Sequence, residues 1–68
     1  MTDTPRNVVR ALRKIGFIQV RARGSHRYFK RGTVVIPVPD HPGDMNQKTF
    51  HRILRLAGLT VEDYRDLR

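Results

Sequence analysis

The 68-residue sequence has no cysteine, no tryptophan and only six carboxylates. Without cysteine, the chain can form neither a disulfide framework nor a thiolate zinc site. Its three histidines have few carboxylates near them, which makes a poor set of metal ligands. We therefore expect no metal and no other cofactor. The missing cysteine also fits the reducing environment of the cytoplasm.

The sequence also lacks long apolar segments. No run approaches the roughly 18 residues of a membrane-spanning helix, and residues 1–5 lack the charged and apolar regions of a signal peptide. We therefore expect a soluble, cytoplasmic protein that makes no membrane contact. A chain of 68 residues forms one domain at most, here residues 1–68, with a small hydrophobic core.

Positive charge is concentrated in the first half of the chain. Residues 1–31 contain nine Lys or Arg and one acid, whereas residues 32–68 contain five of each, so the first half carries the whole net charge of +8. Eleven of the fourteen basic residues are arginine, the side chain suited to bidentate phosphate contacts. This distribution predicts a nucleic-acid ligand. A solubilising surface charge and an acidic protein partner are the alternatives.

The first helix is predicted over residues 5–15. Thr4 provides an N-cap, Pro5 suits the first helical position, and Gly16 follows the last apolar residue as the C-terminal glycine. Its apolar side chains recur at helical spacing, and its basic side chains fall on the opposite face. That basic face is either a solvated surface or a ridge that contacts a nucleic-acid backbone.

Alternating apolar and polar side chains over residues 17–23 predict a half-buried strand. Ile18, Val20 and Ala22 would face the core, and the arginines between them would face water. Gly24-Ser25 is the predicted turn that follows.

A second strand is predicted near residues 27–30, and Arg31-Gly32 forms the tight turn after it. The third strand is predicted over residues 33–36, which are rich in β-branched side chains. Pro37 and Pro39 are expected to end this strand because proline has no N–H to donate to a sheet.

The second helix is predicted to start at a cap formed by Asp44 or Asn46 and to end at Gly58. Its apolar stripe consists of Phe50, Ile53, Leu54 and Ala57. Thr60 caps a short last helix, and Asp63 completes an imperfect capping box.

The predicted order is therefore helix, three antiparallel strands, helix and short C-terminal helix. Helices laid on one face of a small sheet make an α+β fold, a two-layer sandwich. This is the element order of a double-stranded-RNA-binding domain.

Several short motifs follow one another in order along nearly the whole chain. They are Gly16-Phe17, Gly24-Ser25-His26, residues 38–44 (Val-Pro-Asp-His-Pro-Gly-Asp), Thr49, Ile53-Leu54-Arg55 and Ala57-Gly58-Leu59. This ordered set resembles the HicA (YcfA-like) toxins of bacterial toxin–antitoxin pairs. The chain departs from the family at Lys48, where a glycine often precedes the threonine, and in a slightly shorter hairpin after His26.

The resemblance implies a specific function. HicA toxins are small mRNA interferases, endoribonucleases with a double-stranded-RNA-binding-like fold that cleave RNA and halt translation as part of a stress response. A HicB antitoxin silences them by covering the active site. The essential histidine of the family follows Gly-Ser, which corresponds to His26. The expected protein is thus the toxin of a type II pair, with mRNA and a HicB-type antitoxin as partners.

The chemistry of RNA cleavage agrees with these residue types. RNA supplies its own nucleophile, the 2′-hydroxyl, so a ribonuclease needs a base, an acid and positive charge on the phosphorane. Histidine suits either proton-transfer role near neutral pH. We expect His26 to be the general acid or base without a metal, Gly24 and Ser25 to shape the phosphate site, and Arg23 or Arg27 to hold the phosphate.

Other residues and functions have open alternatives. Lys30 is expected to bind RNA; His41 either supports the reaction or contacts RNA, or caps its proline-rich loop. Tyr28 stacks on a base or packs in the core, and His26 could be a turn histidine bonded to backbone. A non-catalytic RNA-binding module of the same fold is the alternative function, and a DNA-binding regulator is a third, although no recognition helix stands out.

Overall fold

Helices and strands follow the predicted order in a computed structural model that describes residues 1–68. The elements are α1 (Pro5–Lys14), β1 (Ile18–Arg23), β2 (His26–Arg31), β3 (Val34–Pro39), α2 (Gln47–Ala57) and α3 (Val61–Leu67). The strands form one antiparallel sheet in the order β1-β2-β3. The predicted α+β fold class is confirmed. None of the helices is both long enough and apolar enough to cross a membrane.

Side-chain caps fix the ends of the helices. The Asn46 side chain accepts a hydrogen bond from the Lys48 N–H at 2.8 Å, so Asn46 and not Asp44 is the cap of α2. Thr60 and Asp63 exchange two side-chain-to-backbone hydrogen bonds of 3.0 Å, which completes the capping box of α3. These bonds satisfy N–H groups that a helix start leaves without intrahelical partners.

One face of the sheet is covered and the other is not. Phe29 of β2 and Ile36 and Val38 of β3 point to the covered face, and all three are fully buried in the core with the apolar stripes of α1 and α2. Side chains on a strand alternate between faces. Tyr28, which is next to Phe29, and His26, three residues before Phe29, therefore point to the open face.

The prediction that β1 is half-buried is wrong. All of its residues are exposed, with Ile18 at 65% and Val20 at 48% exposure. β1 is an edge strand, and its register with β2 shifts between Gln19 and Arg21. Such an irregularity changes which face the following side chains take. It breaks the alternation on which the prediction relied, so Ile18 and Ala22 lie on opposite faces.

The predicted end of β3 is also wrong, because the strand continues through both prolines. Pro37 pairs with Tyr28 and Pro39 pairs with His26. β3 is the other edge of the sheet, where a proline nitrogen can face away from the neighbouring strand without removing a ladder hydrogen bond. The three additional residues at this end bring the loop that carries His41 to the start of β2.

The N-terminus is held by a buried carboxylate. Asp3, only 6% exposed, accepts hydrogen bonds from the Tyr64 hydroxyl at 2.7 Å and the Asn7 amide at 2.9 Å. The Arg68 guanidinium completes an ion pair with it at 3.1 Å. These contacts join Asp3, which precedes the Thr4 cap of α1, to Tyr64 of α3 and to Arg68, a link that was not predicted from the sequence.

Candidate active site

The alternation of side chains along β2 gives its two faces different chemistry. His26, Tyr28 and Lys30 point to the open face, whereas Arg27 and Phe29 point to the face that the helices partly cover. Because β2 is the central strand, its position is fixed by pairing on both sides. The imidazole of His26 is thus carried by a rigid element and not by a free loop.

A backbone contact joins the two segments that carry His26 and His41. The Asp40 N–H donates to the Ser25 carbonyl at 2.6 Å, and Pro39 pairs with His26 across the β2–β3 ladder. Gly24 makes the β1–β2 turn possible with a φ of 58°, a left-handed value that favours glycine. The turn before His26 and the loop carrying His41 are therefore fixed against each other.

Both histidines line the same hollow, which has a volume of about 440 Å³. One wall is the open face of β2 and β3, and the other is a polar flank of α2. The lining residues are His26, Tyr28, Pro37, Pro39, His41, Asn46, Thr49 and Arg52. The hollow brings two imidazoles, one guanidinium, one aliphatic hydroxyl and one aromatic ring to a single exposed surface.

These groups are those that cleavage of a phosphodiester requires. Two imidazoles in one hollow can supply a base and an acid, because histidine changes its charge near neutral pH. Arg52 can stabilise the negative charge that develops on a phosphorane. The Tyr28 ring lies under the Arg21 guanidinium, 4.6 Å from its centre, which leaves it half-buried at the edge of the hollow.

The two arginines that were predicted to hold the phosphate, Arg23 and Arg27, lie on opposite faces of the sheet. Arg23 pairs directly with His26 across the β1–β2 ladder and so lies on the open face. Arg27 lies on the opposite face, where it donates two hydrogen bonds to the Gln19 side chain at 2.8 and 3.0 Å. Of the two, only Arg23 is placed beside His26. Lys30 shares the open face but stands four residues farther along the strand.

Comparison with known proteins identifies the family. A family model described as the HicA toxin of bacterial toxin–antitoxin systems matches residues 5–59, more than half of the chain. The chain belongs to the HicA toxin family. No curated protein matches the sequence.

Membership in the HicA family confirms the resemblance drawn from the ordered motifs. It makes the chain a HicA-type toxin, and it implies an antitoxin partner. The matched range contains every residue of the hollow. Asp3, Tyr64 and Arg68 lie outside it, so the contacts that hold the N-terminus to α3 are additional to the HicA segment.

One wall of the hollow that contains His26 was not predicted from the sequence. Asn46, Thr49 and Arg52 lie three residues apart and form one flank of α2. This spacing of polar residues was visible in the sequence, and Thr49 already belonged to the family motifs. What the sequence did not show was that β3 runs on to Pro39, which places this flank of α2 beside His26.

Proposed function

We propose that this HicA-type toxin is an mRNA interferase, a metal-independent endoribonuclease that cleaves mRNA in the cytoplasm and blocks translation. His26 is the general acid or base. The observation that supports this best is that His26 and His41 line one hollow with Arg52. A histidine kept only for a turn would not need a second imidazole and a guanidinium around the same space.

The reaction follows from the chemistry of RNA. One imidazole takes the proton of the 2′-hydroxyl as that oxygen attacks the phosphorus. The resulting phosphorane carries additional negative charge, which Arg52 and Arg23 stabilise. The bond to the 5′-oxygen then breaks, and the protonated imidazole of the other histidine gives its proton to that oxygen. The products are a 2′,3′-cyclic phosphate and a 5′-hydroxyl end.

The remaining predicted residues have binding roles in this proposal. Gly24 and Ser25 shape the turn beside the reacting phosphate, and Lys30 contacts the RNA farther along the open face. His26 is exposed, as are Arg23 and Lys30. A HicB-type antitoxin that covers the open face would therefore block the RNA from reaching His26.

The test compares His26→Ala with His51→Ala in a purified protein. His51 is a matched control because it lines a different hollow on α2 and stacks edge-on against Phe50, 5.4 Å away. We expect His26→Ala to lower the rate of RNA cleavage by about 10²–10⁴-fold, the usual contribution of acid–base catalysis. RNA binding, measured with an RNA whose 2′-hydroxyls are methylated, should remain unchanged. Induced expression should arrest growth only for proteins that cleave.

The same experiment decides between the two candidate functions. Equal cleavage by wild type and His26→Ala would contradict a role for His26 in the reaction. If neither protein cleaves RNA but both bind it, the chain is a non-catalytic RNA-binding module. The exposed positive charge in the first half of the chain is the observation that favours such an RNA-binding module as the second candidate.

A further inference from the structure

A second hollow lies on the other side of β2 and has a volume of about 660 Å³. Arg6, Arg10 and Arg13 of α1 line it together with Arg27 of β2, and the buried side chain of Val9 lies among them. We call this hollow the arginine groove. It contains neither histidine of the candidate active site.

The arginines of α1 have no partners within the protein. The one ion pair of the molecule joins Arg68 to Asp3, and none of the three α1 arginines donates a side-chain hydrogen bond. Lys14, also at the groove, is already bonded to the Leu67 carbonyl at 2.7 Å. Asp40 is the only acid that lines the groove, and it makes no ion pair. The positive charge of the groove is therefore largely uncompensated.

Arg27 is held in place by neutral groups. Its Nε and Nη2 atoms donate to Gln19 at 3.0 and 2.8 Å, and its guanidinium lies 5.5 Å from the centre of the Phe29 ring. A guanidinium has five N–H donors, so three remain for a ligand. Because neither partner is an anion, Arg27 is oriented without being neutralised. A charged group that is fixed in this way loses little conformational entropy when an anion binds.

The groove is open because the helices do not cover the whole sheet. The main contacts of α1 are with β3 and α3, and both faces of β1 are exposed. A channel is left between α1 and the inner side of β2, where Arg27 lies. Arg6, Arg10 and Arg13 are four and three residues apart, so they are spaced about 6 and 4.5 Å along the helix axis. Each guanidinium can donate two parallel hydrogen bonds to one phosphate. A row of guanidinium groups at this spacing therefore suits a polymer with regularly repeated phosphates better than a single small anion.

The groove adjoins the candidate active site at two places in the chain. Arg27 follows His26 directly, and Asp40 precedes His41, with each pair divided between the two hollows. The two hollows thus meet at one end of the sheet. This end consists of the β1–β2 turn and the end of β3, and it forms the rim between the two hollows. A strand that crosses this rim reaches both surfaces.

We propose that the arginine groove binds the phosphodiester backbone of single-stranded RNA on one side of the bond to be cleaved. This proposal rests on the proposed ribonuclease function. It adds a second binding surface, formed by Arg6, Arg10, Arg13 and Arg27, that acts on long RNA and not on the reaction itself. Long substrates contact both hollows, whereas a dinucleotide occupies only the hollow of His26 and His41.

The test uses two triple variants with the same loss of charge. Arg6→Gln, Arg10→Gln and Arg13→Gln alter the groove, and Lys48→Gln, Arg55→Gln and Arg65→Gln alter exposed positions elsewhere. Each variant lowers the formal net charge from +8 to +5. Binding is measured for a fluorescent 12-nucleotide RNA with methylated 2′-hydroxyls at several salt concentrations. Cleavage is measured for a dinucleotide and for an unmodified 12-nucleotide RNA.

We expect the groove variant to bind the long RNA at least about tenfold more weakly. Its slope of log affinity against log salt should fall by about 2, from three lost contacts at about 0.7 each for single strands. Dinucleotide cleavage should stay at the wild-type rate, and the control variant should change little in either assay. Thermal unfolding by circular dichroism confirms that both variants are folded.

The remaining outcomes also separate the two proposals. Equal loss of binding in both variants, or no loss in the groove variant, overturns the groove proposal, as does a wild type that binds no RNA. A groove variant that keeps RNA binding but loses binding to its antitoxin identifies a protein-docking surface and also overturns it. If the wild type cleaves nothing and the groove variant alone loses binding to methylated RNA, the groove is an RNA-binding surface and the ribonuclease proposal fails.

Discussion

The hydrogen bond from the Tyr64 hydroxyl to Asp3 predicts that Tyr64→Phe is strongly destabilising. The bond is 2.7 Å long, Tyr64 is fully buried, and Asp3 is 6% exposed. Phenylalanine keeps the ring and its edge-on contact with Phe50, 5.0 Å away. The substitution therefore removes one donor from a buried carboxylate and changes little else.

The size of the expected loss in the free energy of unfolding follows from the charge of the acceptor, the Asp3 carboxylate. Hydrogen bonds to charged groups contribute about 1.5–3 kcal/mol to stability. A chain of 68 residues has a total stability of roughly 3–10 kcal/mol at 0.05–0.15 kcal/mol per residue. For a domain of this size, the loss lowers the melting temperature by roughly 6–24 °C. The effect of this single hydroxyl is thus a large part of the whole stability.

The loss of stability caused by Tyr64→Phe should also depend on pH and become smaller in acid. Burial alone raises the pKa of Asp3, but its hydrogen bonds and the nearby charge of Arg68 outweigh this effect, so the pKa lies below its usual value. A carboxyl with a lowered pKa in the folded state adds stability that is fully present above about pH 3.9, the unfolded value. That stability is lost as the pH falls through the folded pKa. The difference between wild type and Tyr64→Phe should therefore shrink in acid.

Urea unfolding followed by far-ultraviolet circular dichroism measures both effects, at pH 7 and near pH 2. Tyr28→Phe is the matched control, because the Tyr28 hydroxyl makes no hydrogen bond in the protein and its loss should cost less than about 0.5 kcal/mol. A Tyr64→Phe difference below 0.5 kcal/mol at pH 7 would refute the energetic argument. A large difference that is the same at both pH values would refute the role of the Asp3 charge.

Two further predictions concern the candidate active site. His41→Ala should lower the rate of cleavage of ordinary RNA by about 10²–10⁴-fold. If His41 is the general acid, a substrate with sulfur in place of the bridging 5′-oxygen should restore the rate of this variant, because a thiolate leaves without a proton. Equal losses on both substrates in single-turnover assays would exclude that role. Gly24→Ala should cost about 1–2 kcal/mol in urea unfolding, since a left-handed φ strains any residue with a Cβ. Its new Cβ meets no atom within 4 Å, so an alanine variant as stable as wild type would contradict the strain.

Helix ends were predictable from sequence because their signals are local. A cap such as Thr60 and its partner Asp63 lie three residues apart, and the hydrogen bonds between them need no distant part of the chain. The glycine after α2 acts in the same way, with Gly58 in a left-handed conformation at φ 74°. Tertiary packing then had only to bury the stripes that the periodicity already identified.

The two wrong predictions for the sheet concern the burial of β1 and the end of β3. Both properties depend on the elements that pack or pair with the strand. Whether Ile18 and Val20 are buried depends on whether a helix covers β1, and nothing in residues 17–23 records this. Whether Pro37 ends a strand depends on which side of the strand is paired, and this is decided by the position of β3 at the edge. Local alternation and proline content do not contain this information.

The candidate active site was predictable in part for the same reason. His26 was identified through a motif next to it in sequence, whereas Arg52 reaches the hollow only through packing of α2 against β3. The role of Arg27 was ambiguous because proximity in sequence to His26 does not determine which face a side chain takes. On a strand, adjacent residues point in opposite directions, so the nearest basic residue in sequence is the one that cannot share the face of His26.

This alternation suggests why a strand, and not a loop, carries His26. A slip of one residue in the pairing of β2 would exchange His26 and Arg27 between the two faces, and would also move Phe29 out of the core. The cost of exposing Phe29, which is fully buried, therefore protects the placement of both side chains for which we propose a function. In a domain with so small a core, the residue that stabilises the fold also fixes which face carries the imidazole and which carries the guanidinium. Stability and the proposed separation of reaction from RNA binding thus depend on the same register.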